Sequence, residues 1–205
     1  MDGLRAQVLL LCGPSGSGKS HLATRSGLPV FRLDDFYRDA DDPALPISEE
    51  LGIPDWDDPR SWRADAALDS LEQLCREGST TAPVYDIGLS AATGTYEVAL
   101  DGAAAVIAEG VFAAEIVDGL RERGLLADAV VLHRPPWKNF VRRLARDLKE
   151  RRKPPHVLWQ RGRILMAAEP GIVAAACAKG CRAVEARELA ALLRRLAAAD
   201  ARSDA

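Results

Sequence analysis

The feature that most restricts the fold of this chain is the octapeptide Gly13-Pro14-Ser15-Gly16-Ser17-Gly18-Lys19-Ser20, set directly behind an apolar run at residues 8–12. It satisfies the spacing G-x-x-x-x-G-K-[ST] in full. The run before it, Val-Leu-Leu-Leu-Cys, shows no alternation and reads as a strand buried on both faces. Residues 19–25 read as a helix that Gly27 stops. Strand, glycine-rich turn and helix in that order build a cradle for phosphate. Glycines let the backbone curl tightly and aim successive N–H groups at phosphate oxygens, and the helix adds its positive end. The expected contacts are Gly13, Ser15, Gly16, Ser17, Gly18, Lys19, Ser20 and His21. Lys19 should reach the β- and γ-phosphates, and the Ser20 hydroxyl should sit on Mg²⁺.

Further apolar runs at 29–33, 104–108 and 129–133 read as strands, and 171–177 as a fifth. Asp58-Pro59 has the form of a helix start. Ala64, Ala67, Leu68, Leu71, Leu74 and Cys75 then recur at helical spacing, and Gly78 ends the run. Residues 83–85 and 95–98 flank a glycine-containing connection and predict a small hairpin. Residues 38–58, rich in Pro and Asp, predict a long loop. Trp137, Phe140, Val141, Leu144 and Leu148 form a helical stripe that Pro154-Pro155 breaks. A second helix should run to about 168, and 184–201 reads as a terminal helix. The alternation predicts an α/β chain with a three-layer P-loop NTPase fold. It would hold a five-stranded parallel sheet, a small β-hairpin and a helical Arg-rich lid at about 134–168, within one domain over 1–205.

Bulk composition narrows the partners. A net charge of −3 gives no global pull toward nucleic acid or anionic lipid, so neither is expected. The charge is unevenly spread: residues 134–163 carry eleven Lys/Arg against two Asp/Glu, and 34–60 carry ten acids against two bases. A basic stretch facing an acidic one suits a polyphosphate–metal complex, although two solvated faces would read the same way. Cys12, Cys75, Cys177 and Cys181 lack metal-ligand spacing and read as free thiols. The first apolar run is too short for a signal sequence and nothing approaches a membrane span, so a cytoplasmic location is expected.

In open parallel sheets, ligands bind beyond the carboxyl ends of the strands. Strand one delivers the cradle there, strand two Asp34 and Asp35, and strand three Glu109. A carboxylate in that place can hold Mg²⁺ or accept the proton of an attacking hydroxyl. Asp34 suits mainly the second task, with a share in the metal site beside Ser20, and Glu109 suits the first. Helix capping or a loop turn is the competing use of Asp34 and Asp35, and a solvated loop acid that of Glu109. On the helix at 137–149, Lys138, Arg142, Arg146 and Lys149 share one face by spacing. Arginines brought over a transferring phosphate stabilise its developing charge.

At this point the chain resembles the uridine kinase family of P-loop kinases, from about residue 8 to residue 153. The cradle is one shared motif. Leu33-Asp34-Asp35-Phe36-Tyr37 is similar to the family's Asp-x-[Phe/Tyr]-Tyr segment, which implies Asp34 as catalytic base and Tyr37 in the acceptor pocket. Asp55-Trp56-Asp57-Asp58-Pro59 is similar to Asn-Phe-Asp-His-Pro and implicates Asp57 in holding ribose hydroxyls. Pro83-Val84-Tyr85-Asp86 matches Pro-x-Tyr-Asp, with Tyr85 facing the acceptor, and Glu109-Gly110-Val111 matches Glu-Gly-[Ile/Val], with Glu109 near the metal. Arg142-Arg143-Leu144-Ala145-Arg146-Asp147 with Glu150-Arg151 is similar to the family's lid. The resemblance implies Arg142 and Arg151 on the nucleotide, Arg143 and Arg146 as catalytic charges beside Lys19, and Arg143 also toward the acceptor. After Tyr85-Asp86 the family usually carries an aromatic residue and a His-x-Arg element that read the base. This chain has Ile87, Gly88, Leu89, Ser90, Ala91 and Ala92, and Arg152 replaces the family's lid glycine.

The expected activity is transfer of the γ-phosphate of ATP, or of GTP, with Mg²⁺ to a small-molecule hydroxyl, foremost that of a nucleoside such as uridine or cytidine. A sugar, phosphosugar or vitamin precursor as acceptor, or a regulator that binds nucleotide without transferring phosphate, are the alternatives. A homo-oligomer is left open.

Overall fold

A computed structural model describes residues 3–149 and 155–203. Its centre is a parallel sheet of five strands in the order β2-β5-β1-β6-β7. These are β1 (Gln7–Cys12), β2 (Val30–Arg32), β5 (Ala105–Glu109), β6 (Leu126–Leu132) and β7 (Arg182–Val184). β3 (Ser79–Asp86) and β4 (Ala91–Ala99) form a separate antiparallel hairpin. The helices are α1 (Lys19–Thr24), α2 (Ala64–Glu77), α3 (Val117–Glu122), α4 (Pro136–Lys149), α5 (Pro155–Ala178) and α6 (Ala186–Ser203). The chain is therefore α/β, with an all-parallel sheet covered on both faces.

Pleating divides the core. Val8, Leu10 and Cys12 of β1 point into a cluster with Leu68, Leu71 and Leu74 of α2, Leu120 of α3 and Ala176 of α5. Leu9 and Leu11 point the other way, to Ala23 of α1 and Leu189 and Leu193 of α6. Every residue of β5 is buried, so strands without alternation are what this layering selects. Truncating a buried leucine such as Leu10 or Leu71 to Ala should cost about 2–5 kcal/mol.

The structure corrects several sequence expectations. Residues 171–177 are not the fifth strand; they lie inside α5, which continues past 168 to Ala178 with Pro170 within it. The fifth strand is the three-residue β7. Asp58-Pro59 opens only a short 3₁₀ turn, Pro59–Ser61, and α2 begins at Ala64. α3 was not anticipated by the apolar pattern, and the hairpin strands are longer than 83–85 and 95–98. The 38–58 loop is organised by backbone pairs, among them Ser48 N–H to the Ile53 carbonyl at 2.8 Å and Asp55 N–H to the Pro46 carbonyl at 2.8 Å.

Strand register positions the functional edge. Glu109 of β5 lies level with Leu11 of β1 and with Arg32 of β2. Gly13 and Asp34 thus emerge two residues beyond the same level, on either side of β5. Gly110, which follows, permits a close approach: a methyl there would lie 2.7 Å from Leu33 Cβ and 2.8 Å from Asp34 Oδ1.

Candidate active site

The cradle's glycines are fixed by backbone geometry. Gly13 has φ +143°, and a Cβ there would meet the Leu132 carbonyl oxygen of β6 at 2.7 Å. Gly18, at φ +92°, turns the chain into α1. Lys19 is buried, while Ser20 and His21 are exposed at the mouth. Ser17 is fully enclosed; its N–H bonds the Pro14 carbonyl at 3.1 Å, and its Oγ has no partner among the described residues.

A cavity of about 420 Å³ opens over this loop. Ser15, Gly16, Gly18, Lys19, Ser20 and His21 form its floor, Asp34 with Val111 one wall, and Arg142, Arg143 and Arg146 another. Candidates from three distant stretches of sequence therefore meet in one place.

Asp34 and Asp35 divide their roles. Asp35 is buried and consumed: Arg32 Nη2 donates to Oδ1 at 2.6 Å, and the Tyr96 hydroxyl to Oδ2 at 3.0 Å, tying β4 to the end of β2. Among the described residues Asp34 accepts only the Val111 N–H, at 2.7 Å, and it faces the cavity. Burial raises the Asp34 pKa above the ordinary carboxylate value; the Val111 N–H and the Lys19 ammonium oppose that shift. A carboxylate made more basic and left with one bond can accept a proton.

Glu109 is buried, and among the described residues its Oε2 has no hydrogen-bond partner. Among the described residues no three His, Cys, Asp or Glu side chains gather to hold a metal by themselves. This donor set fits Mg²⁺, which characteristically binds through one or two protein oxygens together with substrate phosphates and water. Ser20 at the cavity mouth and Glu109 at the strand end are the residues that would hold it.

The three arginines are unequal. Arg142 and Arg146 are exposed along the cavity wall. Arg143 is buried and braces the loop: Nη1 donates to the Ser15 carbonyl at 2.9 Å, and Nη2 to Glu169 Oε1 at 3.4 Å. Asn139 Nδ2 donates to Glu169 Oε2 at 2.8 Å. Gly16 fits beneath this helix because a Cβ there would already lie 3.2 Å from the Asn139 carbonyl oxygen and 3.3 Å from Arg143 Cβ. α4 is thus seated on the cradle at this point rather than suspended above it. Arg151 lies outside the described residues.

Beyond Asp34 stands a cluster of rings. Tyr37 lies 5.8 Å from Tyr85, 5.8 Å from Phe112 and 6.1 Å from Trp56 between ring centroids. Burial, and then the charges of Asp34 and Asp57, push the Tyr37 phenol up, so it stays neutral. The Tyr85 hydroxyl donates to the Arg38 carbonyl at 3.0 Å, and Asp57 is exposed. The cations here are engaged: Arg38 with Asp42 at 3.0 Å, Arg60 with Asp58 at 2.6 Å, and Arg63 with the Tyr37 carbonyl at 3.2 Å. Sequence reasoning missed Trp56 and Phe112 as ring partners, although each sits inside or beside a motif. It also missed Glu169 and Asn139, for which no local signal exists.

No protein-family model matches the chain. A uridine kinase of Deinococcus deserti is 31% identical over 169 residues, covering 77% of this chain and 76% of that one. A uridine kinase of Geobacillus kaustophilus is 29% identical over 157 residues, covering 73% and 71%. A solved structure from Silicibacter sp. TM1040, a candidate fructose transport system kinase, superposes with a TM-score of 0.58 over 85% of this chain and 86% of that one. At 19% identity, that likeness speaks for the fold alone. By its similarity to these uridine kinases over three quarters of its length, the chain belongs to the uridine kinase family of small-molecule kinases.

Proposed function

We propose that the protein transfers the γ-phosphate of ATP to the hydroxyl of a nucleoside. The observation that carries this reading is the position of Asp34: a strand-end carboxylate with a raised pKa, opening onto the same cavity as Lys19, Ser20 and three arginines. Loop amides and Lys19 bind the β- and γ-phosphates. Asp34 Oδ2 receives the acceptor's hydroxyl proton as the oxygen attacks phosphorus in line. Arg142 and Arg146 offset the charge that develops on the transferring group. Arg143 acts from behind, by holding the Ser15 carbonyl and so the shape of the loop. Mg²⁺, held by Ser20 and Glu109, would neutralise phosphate charge when bound. Tyr37, Tyr85, Trp56 and Phe112 supply the ring surface for the acceptor, and Asp57 an acceptor for its hydroxyls.

The test is phosphate transfer from ATP across a panel of nucleosides, comparing the unaltered protein with Asp34→Asn. Transfer to a nucleoside that the variant loses supports the assignment; undiminished transfer by the variant removes Asp34 as the base.

A second reading changes the acceptor to another hydroxyl metabolite, such as a sugar. The hairpin tip favours it. Ile87 is 81% exposed and Leu89 67%, and Asp86 Oδ1 is spent on the N–H groups of Gly88 and Leu89 at 2.7 and 3.1 Å. A site without hydrogen-bond partners for a base loses much of its power to select one. Thermal stabilisation by sugars but not by nucleosides would select this reading.

A further inference from the structure

Arg134 stands just past the end of β6 and belongs to none of the motifs that mark the kinase. Its surroundings are nonetheless those of an anion site. A methyl built on Gly18 would lie 3.1 Å from Arg142 Nη2 and 3.9 Å from Arg134 Nη2, so two guanidinium groups converge on the last glycine of the cradle. Among the described residues neither has an acidic partner. Arg134 Nε is buried and, among the described residues, donates to nothing. Burial and the like charge of Arg142 both pull the Arg134 pKa down from its usual range.

Many other arginines are paired: Arg32, Arg38, Arg60, Arg123 and Arg182 each meet a carboxylate, and Arg143 has Glu169. Two like charges side by side, one of them partly buried, cost stability unless an anion joins them, and the unsatisfied buried Nε adds to that cost. The strand order places Arg134 beyond β6 and Asp34 beyond β2, on opposite flanks of the loop that follows β1. An anion between Arg134 and Arg142 is therefore on the nucleotide's side and away from the acceptor rings.

We propose that Arg134 is a nucleotide-binding residue that, together with Arg142, grips the polyphosphate from the flank of the cradle opposite Asp34. The inference rests on the kinase reading above, and it adds a residue to the donor site. A guanidinium suits the task because its fork of N–H groups can bridge two phosphate oxygens.

Calorimetric affinities for Mg·ATP, Mg·ADP and adenosine test it, measured on the unaltered protein, Arg134→Met and Arg134→Lys, with the melting temperature of each unliganded form. The Met variant should bind ATP and ADP about 10- to 100-fold more weakly. Its adenosine affinity should hold within about twofold, and its unliganded melting temperature should not fall. The Lys variant should recover part of the loss. ATP affinity within about twofold of the unaltered protein overturns the proposal. So does an equal loss for ATP and adenosine with a lower melting temperature, which marks a merely structural residue. An unaltered protein that binds no nucleotide would instead bring down the kinase reading itself, so the two failures are distinguishable.

Discussion

The two halves of the cleft are built in opposite ways. On the proposed phosphate side, the loop is held from behind: Arg143, braced by Glu169, bonds the Ser15 carbonyl, and the helix presses against Gly16. On the acceptor side, the cations are engaged in exposed or half-exposed pairs, and the hairpin tip carries apolar residues into solvent. Phosphate looks the same in every triphosphate, so its cradle can be rigid and spelled out residue by residue. The acceptor differs from kinase to kinase, and the segments proposed to meet it, loops and the end of β3, can change without disturbing the parallel sheet. The contrast accords with a phosphate loop that keeps its full spacing beside a hairpin tip that departs from the family's pattern.

The largest effect should come where the halves meet. Asp34→Asn should lower kcat about 10²- to 10⁴-fold. Its stability should move the other way. Burial raises the folded-state pKa of Asp34 above 3.8, so the contribution of its protonated form is fully present below that value and lost as pH rises through the folded pKa. The charged group therefore destabilises the fold at pH 7. The Asn variant should melt higher than the unaltered protein there, and the gain should vanish as pH falls below 3.8. A lower melting temperature at pH 7 would mean that Asp34 is a structural acid.

Next in size is Glu169→Ala, which leaves Arg143 buried without its carboxylate and should destabilise by about 3–5 kcal/mol in urea unfolding. Glu169→Gln keeps an acceptor and should cost less. Equal costs would show that shape rather than charge holds α4 on the loop. Gly110→Ala should follow, with kcat lowered by up to about 100-fold, because the new methyl displaces the Asp34 carboxylate. The smallest effect belongs to the acceptor side. Ile87→Ser combined with Leu89→Ser should change stability by less than about 0.5 kcal/mol and leave nucleotide affinity unchanged. A measurable change in ATP affinity there would break the division between the halves.

Much of this was legible in the sequence, for physical reasons. The cradle shows because backbone amides can wrap phosphate only with glycine at set positions, and the residue before it is the end of a strand with no polar face. Asp34 shows as a strand-end acid, but only the structure separates it from Asp35, whose bonds to Arg32 and Tyr96 come from outside its own segment. Arg143 stands one residue after Arg142 and three before Arg146, and it differs from both in meeting Glu169, 26 residues away. The mistaken strand at 171–177 shows the limit of short apolar runs. Gly-Ile-Val-Ala-Ala-Ala-Cys suits either state by pattern, and the alanines favour helix. β7, Arg-Ala-Val, is too short to carry a period at all.

In the proposed reaction, residues 13–20 wrap a triphosphate while Asp34 waits beside its terminal phosphorus. A crystal structure with Mg²⁺ and a non-hydrolysable ATP analogue measures this directly. The account predicts β- and γ-phosphates within the loop, Lys19 on both, and the Asp34 carboxylate facing the γ-phosphorus from the side of β2. Phosphates bound elsewhere, or an Asp34 turned away from them, would contradict it.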